Sequence, residues 1–299
     1  MLPSHKSSIH LFRFLGVDVF LHYSWFVVAI VELSYSGHRY SSYLWNVYEY
    51  LAIFGIVLMH EYGHALACRS VGGRADQIVL WPLGGVAYVA PPPRPGATLW
   101  SLAAGPLVNL LLVPILFVGL IVVRRLNVES NMPDTYEFVR SLCVINVGLL
   151  CFNILPIYPL DGGQILRSLL WFFLGRTRSL LIASTTGMVA AAVLLVFAIR
   201  SRREWFCVLA AFAIIQCWSG FQQARLLARL EAAPRRDGLA CPNCHKSPPV
   251  GEFWSCGRCR RPFDMFATHG VCPHCGAVFD GTRCMECGQG HRLVDFGQI

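Results

Sequence analysis

Residues 51–67 read LAIFGIVLMHEYGHALA, an apolar run with His60, Glu61 and His64 set into it. The i, i+4 spacing puts both imidazoles on one face of a helix, as a tetrahedral Zn²⁺ requires, and puts Glu61 beside the metal's open position. On a surface helix the same five letters arise by chance. Inside a run long enough to cross a bilayer, three ionisable side chains are expensive and demand a partner. With Arg69 marking the membrane boundary, His60 lies roughly 13 Å inside it at about 1.5 Å per residue.

Five further apolar runs accompany this one. The six cover about 17–33, 44–67, 99–123, 138–157, 180–199 and 205–222, each close to the roughly 17–25 residues that a helix needs to span hydrocarbon. The chain is 55% hydrophobic and 14% charged, which excludes an ordinary soluble globule and a disordered chain alike. The reading is an all-α polytopic membrane protein of about six transmembrane helices. The polar amino terminus has no small-residue cleavage site after the first run, so no cleaved leader is expected. Twelve basic residues against six place both termini in the cytoplasm, although Arg200, Arg202 and Arg203 locally oppose that orientation.

Two connections are not simple loops. Residues 72–96 carry short β-prone pieces at 77–81 and 86–89 around Gly84 and Gly85, which predicts a small β-hairpin at the membrane surface. Residues 156–163 break the fourth run with two prolines and two glycines, and such a break is tolerated only where it lines a protein cavity. Two histidines leave a catalytic zinc one protein ligand short. Asp161, at that break, is the candidate; the alternative is an aspartate that caps the helix beginning near Gln164. Asn153 is a candidate for orienting substrate or an oxyanion, the alternative being a helix–helix hydrogen bond.

Taken together, HEYGH, then GPLVN (105–109), then NILPIYPLDGG (153–163) resemble the site-2 protease family of intramembrane zinc metalloproteases, in its six-helix subgroup. The stretches at 11–26 and 80–88 are similar to that family too, and the resemblance covers about residues 10–222. It implies that His60, His64 and Asp161 bind a catalytic zinc and that Glu61 is the general base. It also implies that Gly84 and Gly85 sit in a hairpin whose edge pairs with unwound substrate. Such pairing takes up the hydrogen bonds that a helix otherwise hides. His22, in the first run, matches a family position and is read as a structural hydrogen-bonding residue. The loop at 124–137 is too short for the PDZ domain of another subgroup, and the CBS domains common in this one are not seen, so regulation by adenine nucleotides is not carried over.

The tail has different chemistry. All of the net charge of +8 belongs to residues 1–236, while residues 237–299 hold six basic and six acidic residues and eight of the 13 cysteines. Those eight form four CxxC pairs, Cys241/Cys244, Cys256/Cys259, Cys272/Cys275 and Cys284/Cys287. They predict two closed structural zinc sites in a double zinc ribbon, paired in chain order, first with second and third with fourth. Disulfides are the alternative in an oxidising compartment. The domains are read as 1–228 in the membrane, a linker at 229–238 and the ribbon at 239–299. The other five cysteines, Cys68, Cys143, Cys151, Cys207 and Cys217, are read as packing residues.

The function expected is an intramembrane zinc endopeptidase acting on the transmembrane segments of membrane-anchored substrates, with one catalytic and two structural Zn²⁺. A catalytically silent zinc-bound scaffold that docks clients through its ribbons is the alternative; a zinc transporter is disfavoured, because the polar residues cluster instead of forming a chain across the helices. Partners are a membrane-anchored protein, the lipid bilayer and a protein docked, or a second copy associated, through the ribbons. Nucleic acid is not expected of a tail with zero net charge.

Overall fold

The protein is described by a computed structural model over residues 8–27, 39–81, 84–158, 160–202 and 204–297. It divides into two compact units, Met1–Phe221 and Gln222–Ile299.

Among the described residues, five helices are long and apolar enough to cross a membrane: α1 (Tyr43–Ser70), α2 (Pro95–Arg125), α3 (Pro133–Ile154), α4 (Asp161–Arg200) and α5 (Glu204–Ala232). Their outward faces are apolar and open, as at Leu110, Leu111, Ile115 and Phe117 of α2. In water such a surface would aggregate; facing lipid it is the expected exterior of a polytopic protein. Helix α4 contains a break at Gly175, whose φ of 78° lies in the left-handed region.

The first apolar run departs from expectation. Val17–His22 is a strand, β2, preceded by β1 (Ser8–Phe14); helix begins only at Ser24, and residues 28–33 of the predicted span lie outside the described residues. The reason lies in the alternation of VDVFLH, which buries Val17 and Val19 completely in period two. The hairpin read at 72–96 is present as β3 (Arg74–Trp81) and β4 (Gly84–Ala90), and it belongs to a larger sheet ordered β1-β2-β3-β4. β2 lies parallel to β3, with Val19 opposite Ile78, and the other neighbours are antiparallel. Arg69, near the end of α1, donates to the carbonyls of Leu15 (2.5 Å) and Gly16 (2.8 Å), fastening the β1–β2 turn.

Close helix approach rests on glycine. A Cβ at Gly63 of α1 would lie 2.7 Å from the carbonyl oxygen of Ala104 in α2. The connection from α3 to α4 is equally tight: a Cβ at Gly162 would be 2.2 Å from the Ile154 carbonyl oxygen, and one at Gly163 would be 2.4 Å from the Tyr158 nitrogen. The two glycines therefore let the chain fold back over its own helix end. Tyr158, in that connection, is held from the other side, since the Cys217 thiol of α5 donates to its carbonyl at 2.6 Å.

The second unit is built around four cysteine turns. In each, the residue after the second cysteine donates its N–H to the carbonyl of the first: His245 to Cys241, Arg260 to Cys256, Gly276 to Cys272 and Gly288 to Cys284, at 2.8–2.9 Å. The same four residues all have positive φ. Short strand pairs flank the second and fourth turns, β5 (Trp254–Ser255) with β6 (Pro262–Phe263) and β7 (Gly281–Arg283) with β8 (Gly290–Arg292). A small core of Trp254, Phe263, Met265, Phe266, Leu293 and Phe296 fills the space between them. Arg235 pairs with Glu286 at 2.8 Å and Arg236 with Asp264 at 2.5 Å, so this part of the segment read as a linker is tied to the ribbon.

Gly63→Leu is expected to force α1 from α2 and lower stability by roughly 1–3 kcal/mol, the usual cost of overpacking; an unchanged melting temperature in detergent would contradict the close approach. Arg260→Gly removes a left-handed non-glycine residue and is expected to raise the ribbon's stability by roughly 1 kcal/mol, measurable as a shift in its thermal unfolding.

Candidate metal centre

The HEYGH turn faces inward. His60, Glu61 and His64 are 4%, 5% and 6% exposed. His60 Nε2 lies 3.1 Å from His64 Nε2 and 3.0 Å from Asp161 Oδ2, and His64 Nε2 lies 3.3 Å from that same oxygen. Nitrogen and oxygen ligands at about 2.0–2.1 Å around a tetrahedral zinc sit about 3.3 Å apart, so the three atoms fit one ion.

Each of the three side chains is set by its surroundings. The Nδ1 of His64 donates to the Ser101 carbonyl at 2.8 Å, which leaves Nε2 with its lone pair toward the metal point. Gly105 provides the floor: a Cβ there would come within 2.3 Å of His64 Nε2 and 2.8 Å of His60 Nε2. Asp161 is the first residue of α4. The helix is capped by Leu160 without a side-chain bond, so the carboxylate does not serve as the cap. It lies instead at the positive end of the helix dipole, which favours the anion.

Glu61 is held against the sheet. Its Oε2 accepts the Ala87 N–H at 2.9 Å, and a Cβ at Gly85 would lie 2.2 Å from its Cγ. Only glycine allows the strand so near. Among the described residues β4 is an edge strand, paired with β3 on one side alone. The glycine pair thus touches the carboxylate through Gly85, while Gly84 opens the strand opposite Trp81.

Asn153 lies half-buried in the last turn of α3. His22 ends β2 and shares a 2.5 Å hydrogen bond with Ser24 through Nδ1, a structural contact at a strand end instead of within a helix. Ser101, Gly105 and Asn109 carry no weight in the motif reading of metal ligands. What marks them is small or polar character within an apolar run, on the face that a 3.6-residue period turns toward α1.

In the second unit the cysteines pair differently from expectation. Cys241, Cys244, Cys284 and Cys287 form one cluster, and Cys256, Cys259, Cys272 and Cys275 the other, so the first turn joins the fourth and the second joins the third. The nesting follows from topology, because the inner hairpin turns close on each other before the chain returns. Sulfur separations of 3.7, 3.7, 3.5 and 3.7 Å match the roughly 3.8 Å edge of a tetrahedron with zinc–sulfur distances of about 2.3 Å. They are far from the roughly 2.05 Å of a disulfide. The backbone N–H groups of Cys259 and Arg258 point at the Cys256 sulfur and hold its pKa down at about 6, favouring the thiolate that a metal binds.

With this geometry in place, relatives can be compared. Peptidase family M50 is matched over residues 48–136 and 127–197, a stretch that contains His60, Glu61, His64 and Asp161. The chain belongs to this family. It is 33% identical over 196 residues to a zinc metalloprotease of Methanocaldococcus jannaschii, covering 65% of this chain and 55% of that protein. It is 27% identical over 252 residues to a Synechocystis protein provisionally named a zinc metalloprotease, covering 78% of this chain and 65% of that one. The solved site-2 protease from Methanocaldococcus jannaschii superposes with a TM-score of 0.52 at 26% identity, over 72% of this chain and 95% of that structure. This chain spans between about half and two thirds of the length of those two curated relatives.

Metal analysis distinguishes the cysteine pairings. Cys241→Ser with Cys287→Ser is expected to release one equivalent of zinc, and Cys241→Ser with Cys256→Ser two; the reverse pattern would restore pairing in chain order.

Proposed function

We propose that this chain is an intramembrane zinc endopeptidase that cuts the transmembrane segments of membrane-anchored proteins. The observation that carries the reading is the convergence of His60, His64 and Asp161 on one point with Glu61 beside them, against the edge of β4 that has no strand partner among the described residues. The zinc metalloprotease names of its relatives and the site-2 protease likeness support it.

His60, His64 and Asp161 would hold the zinc, which supplies a Lewis acid that acidifies water and polarises a carbonyl. The chain's own residues do the rest. Glu61, acceptor-only when ionised, takes a proton from the attacking water and returns it to the leaving amine. The Ala87 N–H fixes its carboxylate so that one oxygen is committed to the strand and the other is free for that transfer. An extended substrate added to β4 exchanges its lost helical hydrogen bonds for strand bonds and lies beside the base. Asn153, one connection before Asp161, is suited to orient that peptide.

In the same proposal both termini are cytoplasmic, residues 1–228 form the membrane domain and 239–299 the ribbon. One catalytic and two structural zinc ions are bound, and the ribbon docks protein partners or a second copy.

Glu61→Gln should abolish cleavage of a membrane-anchored substrate while the zinc content stays unchanged; full cleavage by this variant would overturn the assignment. Gly85→Ala should push the carboxylate aside and lower kcat at least tenfold without loss of zinc. If cells with native and Glu61→Gln protein show the same membrane fragments, the silent scaffold is the better reading.

A further inference from the structure

The two histidines of HEYGH are not treated alike. His64 Nδ1 has its carbonyl acceptor on Ser101, whereas His60 Nδ1 is buried with no partner among the described residues. A histidine that binds metal through Nε2 carries a proton on Nδ1, and that proton almost always has an acceptor which sets the ring's orientation and basicity. A second orphan lies close by. Asn109 is completely buried, and both its Oδ1 and its Nδ2 lack partners among the described residues. A buried amide left so costs of order 1–3 kcal/mol.

Registry brings the two together. His64 meets Ser101 and His60 meets Gly105, so α1 and α2 run antiparallel, and each step along α2 from 101 toward 109 moves toward the start of α1. Asn109 is one turn beyond Gly105 on the same face, about 6 Å along the axis. Helical side chains lean toward their own amino terminus, so the His60 ring leans toward the layer that holds Asn109. From the third side α3 closes the layer, where Asn146, also completely buried, donates its Nδ2 to the Asn109 carbonyl at 3.0 Å and leaves its own Oδ1 without a partner. Three helices thus bring one donor-bearing imidazole nitrogen and three unpaired amide atoms to one layer of an apolar bundle.

We infer that Asn109 is a positioning residue for the metal ligand His60, acting through one internal water. The water accepts from His60 Nδ1–H, donates to Asn109 Oδ1, and uses its remaining hydrogen for Asn146 Oδ1. Such a water has the two to four polar partners that a buried water needs. It gives His60 what the Ser101 carbonyl gives His64. The inference rests on the zinc-binding role proposed above for His60 but not on protease activity.

The test is zinc affinity of the full chain, measured by competition with a chromophoric chelator, for Asn109→Ala and Asn109→Asp. Loss of an outer partner typically weakens metal binding 10- to 100-fold, so Asn109→Ala should bind the intramembrane zinc at least tenfold more weakly. Asn109→Asp, which keeps the acceptor, should bind within threefold of the native chain. The ribbon zincs, whose ligands are all sulfur, should be unaffected in both. A purely structural asparagine would instead lower the melting temperature of both variants and leave zinc affinity alone, and that result overturns the inference. Should Asn109→Ala fail to fold, Asn109→Leu, of similar size but without an acceptor, is decisive: a tenfold loss supports the water bridge, and affinity within threefold contradicts it. Loss of the intramembrane zinc in His60→Ala separates this test from the reading beneath it; if His60→Ala keeps that zinc, the metal assignment fails, and not merely the role of Asn109.

Discussion

Everything in the membrane unit answers one electrostatic constraint: three ionisable side chains on a single turn of an apolar helix must be paired, because hydrocarbon offers them nothing. Asp161 brings the opposing charge, and it can do so only because α3 stops and the chain doubles back. Gly162 and Gly163 make that reversal sterically possible, and Cys217 holds the reversed segment by the Tyr158 carbonyl. Gly105 removes the side chain that would otherwise fill the metal point. The sheet supplies the last element, placing the Ala87 N–H on Glu61. Helix break, glycines and sheet edge thus solve one problem together.

The second unit solves a different problem with a similar economy of residues. Its core of six apolar side chains is too small to hold residues 222–299 by burial alone. Four repeated cysteine turns, each with its left-handed residue after the second cysteine, preset the thiolates in pairs. The fold brings together the turns nearest each end of the unit and, separately, the two between them, and metal binding would join each set. Because the outer cluster takes two ligands from each end, it closes the unit as a ring.

Much of this was legible from residue types and spacing. HEYGH nominates candidate ligands because the helical period leaves only one face for both imidazoles, and Asp161 stands out as an acid at a broken helix. The strand at Val17–His22 was not legible as such: an apolar stretch of that length reads equally as half a helix, and what decides it is parallel pairing with β3, a non-local contact. The cysteine pairing was hidden for the same reason, since every CxxC has the same local chemistry and only topology selects its partner. Gly105 and Asn109 bound the GPLVN stretch that carries the resemblance, but neither that motif nor the run around Asn146 says what these residues do at the site. Their roles emerge when three helices are packed and the buried polar groups are counted.

The account stands or falls on one metal ion held by nitrogen and oxygen inside the membrane unit, apart from two held by sulfur. Zinc K-edge X-ray absorption on the full chain tests this directly. The account predicts a mixed shell, a majority of sulfur at about 2.3 Å with a minority of nitrogen and oxygen at about 2.0–2.1 Å, and predicts that His60→Ala with His64→Ala removes the minority and leaves sulfur alone. An all-sulfur spectrum in the native chain, or a light-atom shell that survives the double substitution, would contradict it.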